Sequence, residues 1–391
     1  MEKKNGIIGS VMKQVYFTGD NIISFLGFTS KENFEQLKSG NTGIRKINNP
    51  ALYPEPFIAS MVDRERVHHL LPGNSYTLLE KLLILSVEDA LQNSGVDIRS
   101  DKTIIVVSST KGNIDLLDDS MADRFEKERV YLWKTGDVIA GHFDNPNKAM
   151  VVSNACISGV MAINTAAMLL QNGDFENAVV VGGDIVSRFV LSGFMSFHSL
   201  SAGPCKPFDA YRDGLSLGEA AGTVVLSVHP PEQKERFVFA GGATANDANH
   251  ISGPSRTGEG SYIAISKTLK EAGVSSSEID HISAHGTATP YNDDMESIAL
   301  SRHHLNSIPV NSLKGYWGHT LGAAGVIETV ALLQEMKNSL LISTKGFSEA
   351  GTVEPLNVIA QTEKKVVKTC LKMASGFGGC NASLLIKKVR L

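Results

Sequence analysis

Cysteine and tryptophan are scarce in this chain, at four and two residues, and no segment is dominated by proline or by glycine and serine. The cysteines, Cys156, Cys205, Cys370 and Cys380, form no CxxC pair and are too sparse for a secreted disulfide scaffold. Reduced thiols and a cytoplasmic setting are therefore expected. The lack of low-complexity stretches excludes a disordered tail, and order is expected nearly throughout. A strong excess of one charge is also missing, since 37 basic and 41 acidic side chains leave a net charge of −4. Lys and Arg are scattered apart from pairs such as Lys364-Lys365 and Lys387-Lys388, which fit solvated faces, so no nucleic-acid partner is expected. The basic stretch Met1–Asn5 leads only to Ile7-Ile8 before Gly9, Ser10 and Lys13 intervene, which leaves no signal-peptide core. No apolar run approaches bilayer length, so no membrane span is expected. Gly182-Gly183-Asp184 lacks the spacing of a phosphate-cradling loop.

What is present is a chain of 391 residues, too long for one ordinary core and suited to two intimately packed halves. Apolar runs at Thr103–Val107, Ala178–Val181, Gly222–Val228, Phe237–Ala240 and Leu384–Ile386 read as buried strands. Helical patterns at Tyr76–Ser94, Gly159–Asn172, Gly260–Ala272 and Gly325–Asn338 alternate with them, which predicts an α/β protein with a mostly parallel, helix-covered sheet. The proline pair after His229 and the charged stretch Glu232–Arg236 mark a seam, giving halves 1–229 and 230–391. The halves rhyme: each has a helix of small residues after a turn, Cys156-Ile-Ser-Gly in one and Gly318-His319-Thr-Leu-Gly in the other.

Asn154-Ala-Cys156-Ile-Ser-Gly159 follows the apolar Met150-Val151-Val152 and precedes a helical stretch, which places Cys156 at a strand-to-helix turn. Unpaired N–H groups and the positive end of a helix dipole favour a thiolate there and can receive an oxyanion. A cysteine among small residues equally suits core packing, so this motif alone leaves both readings open. Cys205, Cys370 and Cys380 have no comparable placement and read as structural. His285 and His319 each sit in a glycine-flanked turn, within Ala284-His-Gly-Thr-Ala-Thr-Pro-Tyr-Asn-Asp293 and Asn311-Ser-Leu-Lys-Gly-Tyr-Trp-Gly-His-Thr-Leu-Gly-Ala-Ala-Gly325. A lone loop histidine is commonly a hydrogen-bonded structural residue, and two suggest metal. Their separation on different segments makes the metal reading poor.

Together with Val15-Tyr-Phe-Thr-Gly-Asp20, Lys206-Pro-Phe-Asp-Ala-Tyr-Arg-Asp-Gly-Leu-Ser-Leu-Gly-Glu-Ala-Ala-Gly222 and Ser375-Gly-Phe-Gly-Gly-Cys-Asn-Ala-Ser-Leu384, these motifs resemble the elongating β-ketoacyl-acyl-carrier-protein synthases of the thiolase-like superfamily, nearly end to end. The resemblance implies a five-layer α-β-α-β-α sandwich of two related halves, generally dimeric, with the site between the halves. It implies that Cys156 takes an acyl group from the phosphopantetheine arm of a carrier protein. His285 and His319 would then hold the enolate left when a malonyl unit loses CO2. Lys314, paired with Glu328, would hold the second histidine loop. Phe377 would gate the nucleophile and lend its N–H, with that of Cys156, to an oxyanion hole. Thr287 and Thr289 would bind the pantetheine chain, with Asp293 and Glu296 as supporting acids. Neither a metal nor an organic redox cofactor is implied.

Asp209, Arg212, Asp213 and Glu219 read as an architectural polar network without chemistry. The turn Ser108-Ser-Thr-Lys-Gly-Asn113 carries Lys111 where the family often has an apolar residue near the acyl-pocket floor. A lysine there implies a shortened tunnel or a polar acyl terminus, because a buried unpaired charge is costly. Two rivals share the fold: a thiolase, which needs a second catalytic cysteine, and a non-catalytic chain-length partner subunit, which lacks the nucleophile. An initiating synthase would pair its cysteine with histidine and asparagine, whereas two histidine motifs stand here. Fatty-acid elongation and polyene or polyketide assembly share these motifs, and a homodimer and a heterodimer with a homologous subunit both stay open.

Overall fold

A computed structural model describes residues 13–121, 124–247 and 253–390; the basic start and Ile7-Ile8 lie outside them. The main sheet has ten strands: β1 Val15–Ile23, β2 Thr103–Ser108, β3 Met150–Val152, β4 Asn177–Asp184, β5 Ala220–Ser227, β6 Glu235–Asn246, β7 His281–Ser283, β8 Val310–Asn311, β9 Thr369–Gly376 and β10 Cys380–Arg390. Seven helices position the site: α1 Leu78–Leu91, α2 Leu132–His142, α3 Ser158–Asn172, α4 Arg188–Ser196, α5 Glu259–Ala272, α6 Pro290–Arg302 and α7 Ala324–Asn338.

Across the sheet the strands run β8-β7-β9-β10-β6-β1-β5-β4-β2-β3. Each half thus places its strands in the spatial order third, second, fourth, fifth, first, so the loose rhyme in the sequence is a repeated topology. The first strands of the two halves meet through three antiparallel pairs from Val15↔Phe239 to Phe17↔Phe237. The sheet is not mostly parallel. Four of its nine pairings are parallel, β2/β3, β2/β4, β7/β8 and β7/β9, and five are antiparallel. The difference arises because β5 and β10 return directly beside β4 and β9, and a run buried on both faces does not encode strand direction.

Alternation along the strands separates three cores. Ile104 and Val106 of β2 face the middle layer with Val160 and Ile163 of α3 and Val326 and Val330 of α7. Ile105 and Val107 face α1 and α2 on the outer side. In the second half Leu371 and Met373 of β9 face α5 and α6. Helices therefore cover both outer faces and α3 and α7 fill the centre, giving five layers. The central helices approach through glycines: a Cβ on Gly159 would lie 2.8 Å from Val326 N and 3.0 Å from Gly325 Cα. The window Ala155–Asn172 is long and apolar enough to span a bilayer by length and composition, which corrects the expectation that no such segment exists. It is α3, a core helix whose Val160, Ile163 and Leu170 are fully buried; truncating Ile163 to Ala removes packing worth about 2–5 kcal/mol.

Helix α1 begins in a capping box, with Glu80 N donating to Thr77 Oγ1 at 3.2 Å and Thr77 N donating to Glu80 Oε2 at 2.9 Å. Strand β1 escaped the sequence reading because Gly19, Asp20 and Asn21 interrupt its apolar pattern; its register shifts between Phe17 and Gly19, and Asn21 is buried.

Candidate active site

Cys156 lies between β3 and α3, on a turn where Ala155 has φ +44°. Ser158 fixes the turn: its Oγ donates to Ala155 O at 2.6 Å and accepts from Asn154 N at 2.8 Å. His285 follows β7 by two residues, and Gly286 packs on Ser312 with φ +47°. His319 follows Gly318, whose φ of +73° favours glycine, and its N–H donates to Ser216 O at 2.7 Å. These three turns, two from strand ends and one leading into α7, bring the Cys156 Sγ and ring nitrogens of His285 and His319 within 4.8 Å of one another. The two imidazoles meet edge to face with centroids 5.2 Å apart.

Burial governs the electrostatics. The Cys156 thiol is pushed up to about 12, chiefly by desolvation and then by Cys380, while Lys314 and Lys111 pull it down. The thiolate expected from the helix end is thus outweighed by loss of solvent. Desolvation, reinforced by Lys314 and Lys372, holds both His285 and His319 well below the ordinary histidine value, so both are neutral. A thiol and two imidazoles also match a soft metal in donor type, but the two lysine charges beside them oppose a cation. His281 precedes His285 by four residues, a spacing that pairs ligands on a helix; here it lies in β7 and faces Glu335 Oε2 at 3.3 Å and Pro309 O at 3.0 Å.

The site opens into a cavity of about 460 Å³ lined by Cys156, His285, His319, Thr287, Thr289 and Phe377 among others. The Thr287 and Thr289 hydroxyls bond each other at 2.8 Å. Phe377 stacks on Phe194 of α4 at 5.8 Å and meets Phe197 edge-on at 5.4 Å. The loop reaches the nucleophile closely, since a Cβ on Gly376 would lie 3.0 Å from Cys156 N and 2.9 Å from Cys380 Sγ. Cys380 lines the same cavity, unlike Cys205 and Cys370; all four cysteines are free.

Lys314 pairs with Glu328 of α7 at 2.6 Å, but it engages His285 instead of the second histidine loop, donating to His285 O at 2.6 Å and lying 3.3 Å from His285 Nδ1. Lys372 on β9, which sequence reasoning missed, meets the other oxygen of Glu328 at 2.6 Å. Its signal was a lysine inside the otherwise apolar run Cys370-Leu-Lys-Met-Ala374. Glu296 accepts from His285 N at 2.7 Å and Gly286 N at 2.6 Å. Asp293 accepts from Phe208 N at 2.7 Å, and burial raises its carboxyl to about 7.

Lys111 does not line the cavity. Its turn is held by Asp184, which accepts from Ser109 Oγ at 2.7 Å and Gly322 N at 2.7 Å, and its ammonium donates to Thr110 O at 3.4 Å. Asp209 and Arg212 share one network, with Arg212 donating from Nη1 to Asp209 O at 2.9 Å and pairing with Asp294 at 2.8 Å while Asp209 takes Ser348 N at 2.7 Å; Asp213, which takes Ser201 Oγ at 2.6 Å, and Glu219, which pairs with Arg64, are separate anchors.

Family models for the β-ketoacyl synthase N-terminal and C-terminal domains match residues 12–230 and 237–348. The chain is 27% identical over 420 residues to 3-oxoacyl-[acyl-carrier-protein] synthase 2 of Rhizobium meliloti, covering 96% of this chain and 99% of the relative. A ketosynthase from Xenorhabdus doucetiae, solved in complex with its chain length factor, superposes with TM-score 0.87 at 24% identity over 96% of this chain and 98% of that one. The ishigamide ketosynthase/chain length factor gives 0.86 at 25% identity over 96% and 99%. With both domain models matching in order along most of its length, the chain belongs to the β-ketoacyl synthase family.

Proposed function

We propose that the protein is a 3-oxoacyl-acyl-carrier-protein synthase, an acyltransferase that condenses an acyl primer with malonyl carrier protein. The observation that carries this reading is the convergence of Cys156, His285 and His319 within 4.8 Å on a cavity whose volume suits an acyl thioester.

Cys156 Sγ attacks the thioester carbonyl of an acyl carrier protein. Because the thiol lies near 12 and the imidazoles are neutral, ionisation ahead of attack is disfavoured, and the proton moves to an imidazole as the S–C bond forms. The N–H groups of Cys156 and Phe377 receive the oxyanion. The C–S bond to pantetheine then breaks, and the imidazole returns the proton to the leaving thiol. In the second half the malonyl C–C bond breaks, CO2 leaves, and the electron pair passes into the thioester enolate. N–H groups of the two neutral imidazoles stabilise its oxygen. The enolate carbon attacks the acyl–Cys156 thioester, the Cys156–acyl bond breaks to give the 3-oxoacyl carrier protein, and the released Cys156 thiolate takes a proton from solvent by way of an imidazole. Each bond change is supplied by these side chains, the two carrier-bound substrates and that solvent proton, so the reading assigns no cofactor.

Thr287 and Thr289 would hold the pantetheine arm, whereas Lys111, outside the cavity, would act on Cys156 through its charge alone. We place the half boundary at 229/230, between β5 and β6. A subunit interface fits the unpaired edge of β3, where Met150 is exposed, with Tyr131 and Trp133 exposed at the start of α2 and Met168 on α3; the partner is a second copy or a homologous subunit. We infer a cytoplasmic setting from the sparse, unpaired cysteines, with the reaction in fatty-acid or polyketide-type assembly.

Intact-protein mass spectrometry with a panel of acyl carrier proteins tests the proposal. An adduct on the wild type but not on Cys156→Ala, discharged to extended product by malonyl carrier protein, is expected. Absence of any adduct, alone or with a candidate partner subunit, would instead mark a non-catalytic chain-length subunit.

A further inference from the structure

Between β7 and α6 the chain turns to present His285, and the backbone polar groups of that turn are held individually. Ala284 N donates to Asn311 O at 2.9 Å, His285 N and Gly286 N donate to Glu296, Lys314 Nζ donates to His285 O, and Ser312 Oγ donates to Gly286 O at 2.7 Å. The two carbonyls that lead into the turn, Ser283 O and Ala284 O, are taken by Lys372 Nζ at 3.3 and 3.1 Å. Lys372 can do this because of strand alternation: it shares a face of β9 with Cys370 and Ala374, which point into the middle layer, and Glu328 of α7 waits there. The ammonium is completely buried. It meets Glu328 Oε2 at 2.6 Å, while Lys314 holds Oε1 at the same distance. One carboxylate is therefore shared by two buried lysines, an arrangement that core packing alone does not require and that a buried charge pair rarely repays in stability.

We infer that Lys372 is a positioning residue for the malonyl half-reaction, clamping the strand end that aims His285 while holding Glu328 beside the imidazole pair. The inference deepens the proposed function and rests on it. Two consequences separate it from an architectural role. Misaiming His285 affects enolate stabilisation more than attack by Cys156, whose turn is fixed independently by Ser158. Removing one cation also changes the field at the histidines, because Lys372 acts on both together with Lys314. Among the described residues, the charged and titratable groups facing Lys372 are Glu328 from α7, Lys314 before it, Glu296 from α6 and the two histidines. With Glu328 and Glu296 retained, loss of the Lys372 charge leaves the imidazoles easier to protonate.

The test compares wild type, Lys372→Met and Lys372→Gln in the complete protein, measuring Cys156 acylation by intact mass and malonyl carrier protein decarboxylation by CO2 release from pH 5 to 9. In the Met variant, decarboxylation is expected to fall on the order of tenfold to a hundredfold while acylation changes by less than about threefold. Its activity should also disappear at a higher pH on the acid side, as the histidines protonate earlier. Gln keeps donors for the two carbonyls without the charge, so it should recover part of the rate and keep the displaced acid limb. Equal losses in both half-reactions, an unmoved acid limb, or failure of both variants to fold would assign Lys372 a purely architectural role and overturn the inference. Failure of the wild type to form any adduct would overturn the proposed function itself, which keeps the two outcomes apart.

Discussion

Glu328→Gln should be among the most destabilising single changes in the protein. Glu328, Lys314 and Lys372 side chains are 3%, 1% and 0% exposed, and the carboxylate meets each ammonium at 2.6 Å. At an effective dielectric of 20, each contact carries about 6 kcal/mol of Coulomb attraction before desolvation. The amide keeps the shape but leaves two buried cations around a neutral group. The loss has a ceiling, because a stranded lysine can give up its proton. From an unperturbed 10.4 that costs about 4.6 kcal/mol at pH 7. Burial already pulls Lys372 below the usual lysine value, with Glu328 opposing. The expected destabilisation is therefore about 3–5 kcal/mol at pH 7, as for breaking a buried pair. Its pH dependence has a definite sign. In the variant Lys372, without the carboxylate that opposed its burial, has a folded pKa still further below the unfolded one, so the unfolded state binds more protons between those values and stability recovers as pH rises towards 10. Urea unfolding of wild type and variant at pH 7, 8 and 9 measures both. A loss under about 1 kcal/mol, or one that grows with pH, would refute the reasoning. Replacing all three side chains with apolar residues of similar size should restore most of the lost stability.

Gly376→Ala places a Cβ 3.0 Å from Cys156 N and 2.9 Å from Cys380 Sγ; Cys156 acylation, followed by intact mass, should slow on the order of a hundredfold through the oxyanion hole, with little change in unfolding midpoint. Asp293, raised to about 7 by burial, stabilises the fold fully below the ordinary aspartate range and loses that contribution as pH rises through about 7. Asp293→Asn should therefore flatten the fall in stability across that window, read by denaturant unfolding at pH 4 and pH 7. Met150→Asp puts a charge on the exposed edge of β3 and should convert the assembled protein to single chains by light scattering without altering its circular dichroism.

Much of the site was legible because its chemistry is local in sequence. Cys156 before a helix, and histidines in glycine-flanked turns, need only short segments, and those segments were visible as motifs. The central helices α3 and α7 and the outer helices α1 and α5 were also legible, since each keeps a sustained apolar pattern. Strand direction was not, because Ile104 to Val107 reads the same whether its neighbour runs parallel or antiparallel. Lys314 was tied to the wrong histidine for a related reason: it lies five residues before His319 in the chain, yet the β7 turn carries His285 onto its ammonium. Cys380 looked remote from the nucleophile until the β9–β10 hairpin returned it to the same cavity.

The sequence by itself determined the reacting groups, the apolar segments and the glycines that let turns and helices approach closely, because each depends on residue identity within a few positions. Only the tertiary structure decided their electrostatic state and their partners. Desolvation that pushes the Cys156 thiol up and keeps two imidazoles neutral, and the meeting of Lys314 and Lys372 on one carboxylate, depend on five layers closing around segments from separate parts of the chain, where burial and distance exist only once the chain is packed.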